Sequence, residues 1–321
     1  MTHVAVAPFR WRDGERLVLF GRGCLGQAGE LLEPGYVVLT TPRASAAAPD
    51  LLERAAAVHE VPPGRVDELA GELRARVEGS LLVALGGGRV IDVAKALAAA
   101  DPPRSVAAIP TTLSGAEMTS LHRKIDGREQ GPSVRPALVL ADPALMTSLP
   151  EPELRMSAMN ALAHAVEALY GPGANPVATL AALRGAELIA AGDRALGSLL
   201  CAYAVDSAGY AVHHVLCQTT VRVAGTGHAE TNAAVLPQTL RVMLTRAPEQ
   251  IARLGAAMSS APGYLPELAD RLGGGARVDL PPALREAIAA RALERRELAA
   301  TPGPPVTGEE LVAMLAGAAR G

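Results

Sequence analysis

Four of the seven histidines lie between positions 164 and 228, at spacings that could bring their rings together. Side chains four residues apart on a helix project from the same face. That spacing joins Asn160 to His164 and, on a later helical segment, His214 to Gln218. Convergent imidazoles beside an amide oxygen could hold a divalent metal, or could polarise a carbonyl and supply a proton. The catalytic candidates are His164, His213, His214 and His228.

The same residues also permit simpler interpretations. Taken singly, each histidine is compatible with a hydrogen-bonded role in the core or at a helix end. Asn160 offers a neutral carbonyl oxygen, which binds a hard cation less well than a carboxylate does. The residues alone therefore leave three alternatives open: a metal centre, a metal-free acid–base site and a structural cluster.

A glycine-rich turn in the first half of the chain is the second candidate for chemistry. The apolar run 81–85 leads directly into three glycines and then into a helical pattern. Glycine lets backbone N–H groups approach an anion, and the N-terminus of a helix attracts negative charge. We expect this turn to bind a phosphate group, the alternative being an ordinary turn with a surface ion pair. The residues concerned are Gly86, Gly87, Gly88, Asp92 and Lys95.

An earlier segment, 21–26, has the GxGxxG spacing of a dinucleotide-binding loop. Such a loop requires an acidic residue at the end of the following strand to hold the ribose 2′-hydroxyl. The following apolar run instead ends in Thr40 and continues through Thr41 to Arg43. We therefore favour the later glycines as the phosphate site and expect a tight turn here.

The elements that must position these residues change character near position 150. Before it, short apolar runs alternate with helical patterns, which predicts a parallel sheet with helices on both faces. After it, apolar residues recur with the period of a helix. We predict an α/β, Rossmann-like dinucleotide-binding domain over 1–150, an all-helical domain over 151–321 and a cleft between them. The strands are predicted at 16–20, 36–40, 80–85, 105–109 and 137–140, with single helices over 51–59 and 195–216.

Composition excludes several classes of partner. The net charge of −3 and the 2% aromatic content leave neither a basic surface for nucleic acid or membranes nor rings on which bases could stack. No run approaches the ~18–20 apolar residues of a membrane-spanning helix, and charged residues interrupt the N-terminus early. The three cysteines are widely spaced, which indicates neither a disulfide framework nor a metal knuckle. We expect no nucleic-acid or membrane partner and a cytoplasmic location.

Several segments, taken in order, resemble the iron-containing alcohol dehydrogenase superfamily, which shares its fold with dehydroquinate synthase. Residues 86–95 are similar to the family's GGGSxxDxxK loop, and 109–119 to its PTT…G…EMT segment. Residues 159–170 carry Asn160 where metal-dependent relatives have Asp, a form typical of the maleylacetate reductases. Further similar segments are 141–145, 213–218, 227–231 and 301–311.

The resemblance implies a dehydroquinate synthase-like fold and a homodimeric oxidoreductase. Its NAD(P)H would deliver hydride to a small (di)carboxylate enone or ketone while a histidine donates the proton. For maleylacetate the product would be 3-oxoadipate, in the degradation of aromatic compounds. Residues that would line the cofactor site with the glycines are Thr40, Thr111, Thr112 and Thr119. The family's metal positions, for iron or zinc, fall on Asn160, His164, His214 and His228, with Asn160 arguing against an ion.

A dicarboxylate substrate would also need cationic or polar partners. The candidates are Arg123, Lys124, Arg128, Arg222 and Gln218, with solvated loop charges as the alternative for the cations. The absent acid after Thr40, with Arg43 nearby, would tolerate a 2′-phosphate, so we expect NADP to serve at least as well as NAD.

Two departures from the family pattern keep other functions open. Arg89 stands where a small serine is usual, and Gln218 replaces a usual histidine. The alternatives are a dehydrogenase or reductase for another aldehyde or ketone in a biosynthetic pathway, with or without metal, and a relative that lost redox chemistry and acts as a lyase, isomerase or binding protein.

Overall fold

The computed structural model describes residues 7–125 and 132–320, and the chain divides into two units, Met1–Leu149 and Pro150–Gly321. The first unit is α/β. Among the described residues, the second is helical apart from one isolated bridge, between Val278 and Ala319.

A seven-stranded sheet organises the first unit. Its strands are β1 (Phe9–Asp13), β2 (Arg16–Phe20), β3 (Val37–Thr40), β4 (Ala57–Glu60), β5 (Leu81–Gly86), β6 (Ser105–Pro110) and β7 (Leu138–Ala141). The spatial order is β1-β2-β7-β6-β5-β3-β4. Only the β1–β2 pair is antiparallel among the described strands, and every other neighbouring pair is parallel. The carboxyl ends of the parallel strands therefore share one edge of the sheet.

Helices cover both faces of this sheet. They are α1 (Ala28–Leu31), α2 (Pro42–Ser45), α3 (Pro49–Glu53), α4 (Val66–Arg74), α5 (Gly88–Ala100) and α6 (Pro143–Met146). Successive side chains of a strand point to opposite faces. Leu82 and Ala84 of β5 accordingly pack with α4 and α5, whereas Val83 and Leu85 pack with α1, α2 and α3. The predicted parallel sheet with two covered faces is confirmed.

Two strands at the sheet edges were not predicted. The helix expected over 51–59 is wrong beyond Glu53, because Ala57–Glu60 forms the edge strand β4. Strand β1, at the other edge, was also missed. In both strands half-buried residues alternate with exposed ones, so polar side chains interrupt the apolar run that marks a central strand.

Nine helices are described in the second unit. They are α7 (Glu151–Ala168), α8 (Pro176–Ala191), α9 (Arg194–Ala208), α10 (Val212–Ala224), α11 (His228–Arg246), α12 (Pro248–Ala257), α13 (Leu265–Leu272), α14 (Pro282–Leu293) and α15 (Gly308–Ala318). Helix α7 is buried without interruption from Ser157 to Ala168 and packs against α8, α9 and α11. It is the central helix of this unit, and its polar side chains are therefore enclosed.

The single helix predicted over 195–216 is wrong, because two helices, α9 and α10, meet there at a sharp bend. Gly209 at the break has φ of +77°, a backbone conformation that glycine adopts readily and other residues rarely do. The axes of α9 and α10 differ by 101°. None of the described helices is by itself long and apolar enough to span a membrane, and α9 and α10 reach that length and composition only when counted together as a bent pair. The break lets α10 begin at Val212, next to the histidines.

Candidate active site

Helix α7 carries three enclosed polar side chains along one face. Asn160, His164 and Glu167 follow one another at spacings of four and three residues, which places them on adjacent turns. The exposed fractions of these side chains are 3%, 8% and 0%. The other buried residues of α7 are largely alanine, leucine and valine. Polar groups this deeply buried require partners.

His214, near the start of α10, provides one of those partners. Its ring stacks on that of His164, with centroids 4.8 Å apart and planes 14° from parallel. Its Nδ1 lies 2.5 Å from Oε2 of Glu167. Oε1 of the same carboxylate accepts backbone N–H groups of Ala211 and His213, at 2.9 and 2.8 Å. Glu167 thus fixes both the N-terminus of α10 and the orientation of the His214 ring.

Burial sets the protonation of this cluster. It lowers the pKa of His214 to about 3 and that of His213 to about 4, and it holds the pKa of His164 well below its ordinary value, with neighbouring imidazoles adding to each shift. Burial also raises the pKa of Glu167 to about 7. The imidazoles are therefore neutral near pH 7, and the short His214–Glu167 contact contains a single shared proton.

Two nitrogens of the stacked pair have no hydrogen-bond partner among the described residues. They are Nε2 of His214 and Nδ1 of His164, and both are buried. Leaving a buried polar atom unsatisfied costs about 1–3 kcal/mol. Such atoms, held in fixed positions, mark a place where a bound molecule would complete the hydrogen bonding.

His213 departs from the sequence prediction of a catalytic role. Its ring is fully buried, with Nδ1 2.9 Å from Oγ1 of Thr239 and Nε2 2.9 Å from Oδ1 of Asn232. Because Asn232 accepts there, Nε2 carries the proton and Nδ1 accepts from the threonine hydroxyl. Neither nitrogen is left for a substrate, so His213 is a structural residue that joins α10 to α11.

The predicted metal-ligand set does not fit an iron or zinc ion in this arrangement. His228 is exposed at the start of α11, and its Nε2 faces the amide nitrogen of Asn232 at 3.3 Å, so a donor occupies that lone pair. Asn160 supplies no anionic oxygen. Within residues 7–125 and 132–320, no three His, Cys, Asp or Glu side chains are grouped as metal ligands.

The glycine turn of the first unit lies between β5 and α5. A Cβ on Gly87 would come within 2.9 Å of Thr112, and one on Gly88 within 2.9 Å of Ser114. Glycine is thus required because this turn packs closely on the segment after β6. No side chain caps the N-terminus of α5, and the buried hydroxyl of Thr112 has no partner in the described part of the chain. These donors fit a phosphate of a dinucleotide.

Lys95 also departs from the prediction that it contacts the cofactor. Its side chain is fully buried, and Nζ donates to the backbone carbonyls of Ala116, Thr119 and Leu121 at 2.8–3.1 Å. Asp92, one turn earlier on α5, lies 2.8 Å from the same ammonium. An ammonium has three N–H donors, and these acceptors use them all. Lys95 therefore holds the segment after β6 in place.

The remaining cofactor candidates make local contacts. The hydroxyl of Thr111 and its carbonyl both lie 3.3 Å from Nη2 of Arg43, and Nη1 of Arg43 donates to the hydroxyl of Ser148. The hydroxyl of Thr119 lies 3.4 Å from Lys95. Thr40 ends β3, buried, with its hydroxyl toward the carbonyl of Thr41. Half-buried Arg89, in the first turn of α5, has a buried Nε without a partner among the described residues.

The residues predicted to bind substrate do not form one cluster. Arg123 is exposed and Lys124 half-buried in the segment after β6, whereas Arg222 is exposed in the last turn of α10. Arg128 lies outside the described residues. Gln218 follows His214 by one turn on α10, and its amide oxygen accepts from Arg295.

Three residues of the site were missed by sequence reasoning. Glu167 orients His214, and Tyr210 places its ring 5.8 Å from the same imidazole. Arg295 donates to Gln218 and to the hydroxyl of Tyr210. A carboxylate within the apolar run 158–169 was a usable signal for Glu167. Tyr210 and Arg295 gave none, since long-range packing brings them to the site.

Comparisons with known proteins agree with this architecture. Residues 16–143 match the family profile "Iron-containing alcohol dehydrogenase", and residues 155–272 match "Fe-containing alcohol dehydrogenase family, C-terminal". The chain is 38% identical to maleylacetate reductase 1 of Rhodococcus opacus over 240 residues, which cover 68% of this chain and 66% of that relative. It is 32% identical to a maleylacetate reductase of Rhizobium sp. (strain MTP-10005), with 83% and 85% covered.

The crystal structure of maleylacetate reductase from Agrobacterium tumefaciens superposes with a TM-score of 0.79 at 26% identity, covering 98% of this chain and 99% of that one. The two profiles, the curated relatives and this superposition agree on one fold, that of dehydroquinate synthase-like proteins. The chain belongs to the iron-containing alcohol dehydrogenase family and is an oxidoreductase.

Proposed function

We propose that the chain is an NAD(P)H-dependent reductase of the maleylacetate reductase type, acting on a small carboxylate-bearing enone or ketone. The observation that carries the proposal is Nε2 of His214, a buried nitrogen without a partner among the described residues, on a ring that Glu167 holds through Nδ1. Such a ring is ready to exchange a proton with a bound molecule. The curated relatives named above are maleylacetate reductases.

The cofactor would be held by the first unit. The backbone N–H groups of Gly87 and Gly88, the uncapped N-terminus of α5 and the hydroxyl of Thr112 would bind its phosphates. When bound, NAD(P)H supplies the hydride. Lys95 acts indirectly, because it fixes the segment after β6 that carries Thr112 and the residues following it.

The His214–Glu167 pair would supply the proton. With the shared proton on Glu167, Nδ1 of His214 accepts it in a hydrogen bond and Nε2 carries its own proton. Donation from Nε2 to the substrate is balanced when the proton of Glu167 moves to Nδ1, so the ring stays neutral throughout. Solvent then returns one proton to the pair. No positive charge forms in the buried cluster, where it would be costly.

The test is direct turnover. Purified protein is mixed with maleylacetate and either NADH or NADPH, and loss of reduced-nicotinamide absorbance is followed. We expect consumption with at least one cofactor, and a loss of roughly a hundredfold or more in kcat for His214→Gln. Measurable binding of both cofactors without turnover would overturn the substrate assignment.

Cofactor choice follows from the end of β3. No carboxylate follows Thr40 there, and Arg43 lies between Thr111 and Ser148, to which it donates hydrogen bonds. A cation in this position tolerates a 2′-phosphate, so we propose that NADPH binds at least as tightly as NADH. Calorimetric titration of each cofactor decides this, and a strong preference for NADH contradicts it.

Two further expectations accompany the proposal. A homodimer is predicted from the family resemblance and is tested by light scattering. Metal analysis of the purified protein tests the conclusion from the donor set, and a stoichiometric content of iron or zinc would overturn it. Such a metal would favour the alternative of a metal-assisted reductase for another aldehyde or ketone.

A further inference from the structure

Arg295 lies next to the histidine cluster in the second unit. Its Nη2 is 3.2 Å from the hydroxyl of Tyr210 and 3.3 Å from Oε1 of Gln218. The Tyr210 ring in turn lies 5.8 Å from that of His214, and Gln218 follows His214 by one turn of α10. The guanidinium is thus linked to His214, the proposed proton donor, through Tyr210.

The orientation of this guanidinium is fixed. Nε and Nη2 of Arg295 pair with the two carboxylate oxygens of Glu297, at 3.1 and 2.9 Å. A planar guanidinium held on one edge by a carboxylate has a defined direction for its remaining donors. Such preorganisation reduces the entropy lost when a ligand binds.

One terminal nitrogen of Arg295, Nη1, remains available for a ligand. Its Nη1 makes no hydrogen bond to any residue in the described part of the chain, and the side chain is 30% exposed. A carboxylate oxygen is the acceptor that a charged N–H donor such as Nη1 binds most strongly. Arg222, by comparison, is exposed at the end of α10 and has no carboxylate pairing of this kind with any residue that the structure describes.

We infer that Arg295 binds a carboxylate group of the substrate, and that Gln218 and Glu297 hold it in position for this task. Gln218 is suited to the role because its amide oxygen accepts from Arg295 without carrying a charge that would compete with the substrate. The proposed function supplies the identity of the substrate, on which the choice of probe rests. The carboxylate site itself is tested separately from turnover.

The experiment uses adipate, a saturated six-carbon dicarboxylate that cannot be reduced by hydride transfer, and dimethyl adipate as its uncharged match. Both are titrated by calorimetry into the full chain and into Arg295→Met, Arg295→Lys and the control Arg296→Met. Arg296 is the exposed neighbour in sequence, so its variant removes an equal charge from the same segment. Urea unfolding of each variant establishes that it is folded.

We expect the unmodified chain and Arg296→Met to bind adipate equally, and Arg295→Met to bind it roughly ten- to hundredfold more weakly. Arg295→Lys should be intermediate, because it keeps the charge and loses the planar group that Glu297 holds in one orientation. All four proteins should bind dimethyl adipate equally and weakly. The inference is overturned by unchanged adipate affinity in Arg295→Met, by an equal loss in Arg296→Met, or by no adipate binding in the unmodified chain.

Turnover with maleylacetate separates the two proposals. If adipate binding depends on Arg295 while maleylacetate is not reduced, the carboxylate site stands and the proposed function fails. If maleylacetate is reduced with the same KM by Arg295→Met and by the unmodified chain, the function stands and Arg295 is not the carboxylate ligand.

Discussion

The glycine turn of the first unit and the histidine cluster of the second place polar groups in buried positions in opposite ways. Around the turn, the buried ammonium of Lys95 bonds three backbone carbonyls, and the exposed Arg43 bonds the buried Thr111. In the cluster, the two stacked imidazoles each keep a buried nitrogen without a partner among the described residues.

The two regions differ because one would bind its ligand through the backbone and the other through side chains. A phosphate is bound mainly by backbone N–H groups, so side chains around the turn serve to hold the backbone in shape. A proton is exchanged by a side chain, and that side chain must be held by a hydrogen bond at one atom and have no partner at the atom that exchanges the proton. The His214 ring has that arrangement, because Glu167 holds its Nδ1 and its Nε2 has no partner among the described residues.

Lys95→Met should have the largest effect, because it removes the donor on which the segment after β6 depends. The carbonyls of Ala116, Thr119 and Leu121 and the carboxylate of Asp92 would lose a buried partner. We expect a loss of about 3–5 kcal/mol in the free energy of unfolding, measured in urea.

Lys124→Met serves as the matched control, since these are the two lysines of the chain. Lys124 is half-buried in a loop and should cost less than about 1 kcal/mol. Equal effects for the two variants would contradict the view that the hydrogen bonds of Lys95 hold the segment after β6 in place.

Glu117 provides a pH-dependent test of the same region. It is fully buried beside Lys95 and Arg16, and neither carboxylate oxygen has a hydrogen-bond partner in the described part of the chain. Burial raises its pKa to about 7, and the nearby cations only partly offset that shift. The folded chain therefore keeps this proton over a pH range in which the unfolded chain, with an ordinary pKa near 4.5, has lost it.

Between pH 4.5 and 7 the unfolded state binds fewer protons at this residue, so its contribution to the free energy of unfolding falls as pH rises. The total loss is about 3 kcal/mol, at about 1.4 kcal/mol per pH unit. Glu117→Gln should match the unmodified chain near pH 4 and exceed its stability by that amount at pH 8. Glu72→Gln, at an exposed carboxylate, is the matched control. Stability curves of Glu117→Gln and the unmodified chain that run parallel with pH would contradict the expectation.

Glu167→Gln tests the other side of the comparison. The amide keeps an acceptor for the N-terminus of α10 but cannot share a proton with Nδ1 of His214. We expect kcat to fall roughly ten- to hundredfold with little change in NAD(P)H affinity. The control is Glu153→Gln, on the exposed part of the same helix, and an undiminished kcat for Glu167→Gln would remove the pair from the mechanism.

The sequence predicted the central part of the fold better than its edges. The five central strands are buried on both faces and read as continuous apolar runs, with Leu81–Gly86 as the clearest case. The edge strands β1 and β4 alternate polar and apolar residues over only four or five positions, too few to define a period. The bend at Gly209 was missed because apolar residues recur on both sides of it.

The candidate site was predictable where function depends on local spacing. The pairs Asn160–His164 and His214–Gln218 were visible as residues four apart on helices. Arg295 contacts Gln218 across 77 positions of the chain, and no local pattern records such a contact. Lys95 was assigned to the cofactor because its position near a helix start suggested an anion, whereas burial directs it to carbonyls.

Thr112→Val should produce the smallest change in free energy of these variants, and it distinguishes a hydroxyl that binds the cofactor from one that stabilises the fold. The Thr112 hydroxyl is buried without a partner among the described residues, so its replacement by a methyl group should leave stability unchanged or raised. If that hydroxyl donates to the cofactor, NAD(P)H should bind about fivefold more weakly, the equivalent of about 1 kcal/mol. Thr111→Val should do the reverse, because its hydroxyl already accepts from Arg43. Thr112→Val should therefore lower the calorimetric affinity for NAD(P)H and keep its stability in urea. Thr111→Val should lower the stability in urea and keep the affinity. An unchanged cofactor affinity in Thr112→Val would mean that both regions contain unsatisfied groups but only the histidine cluster uses them.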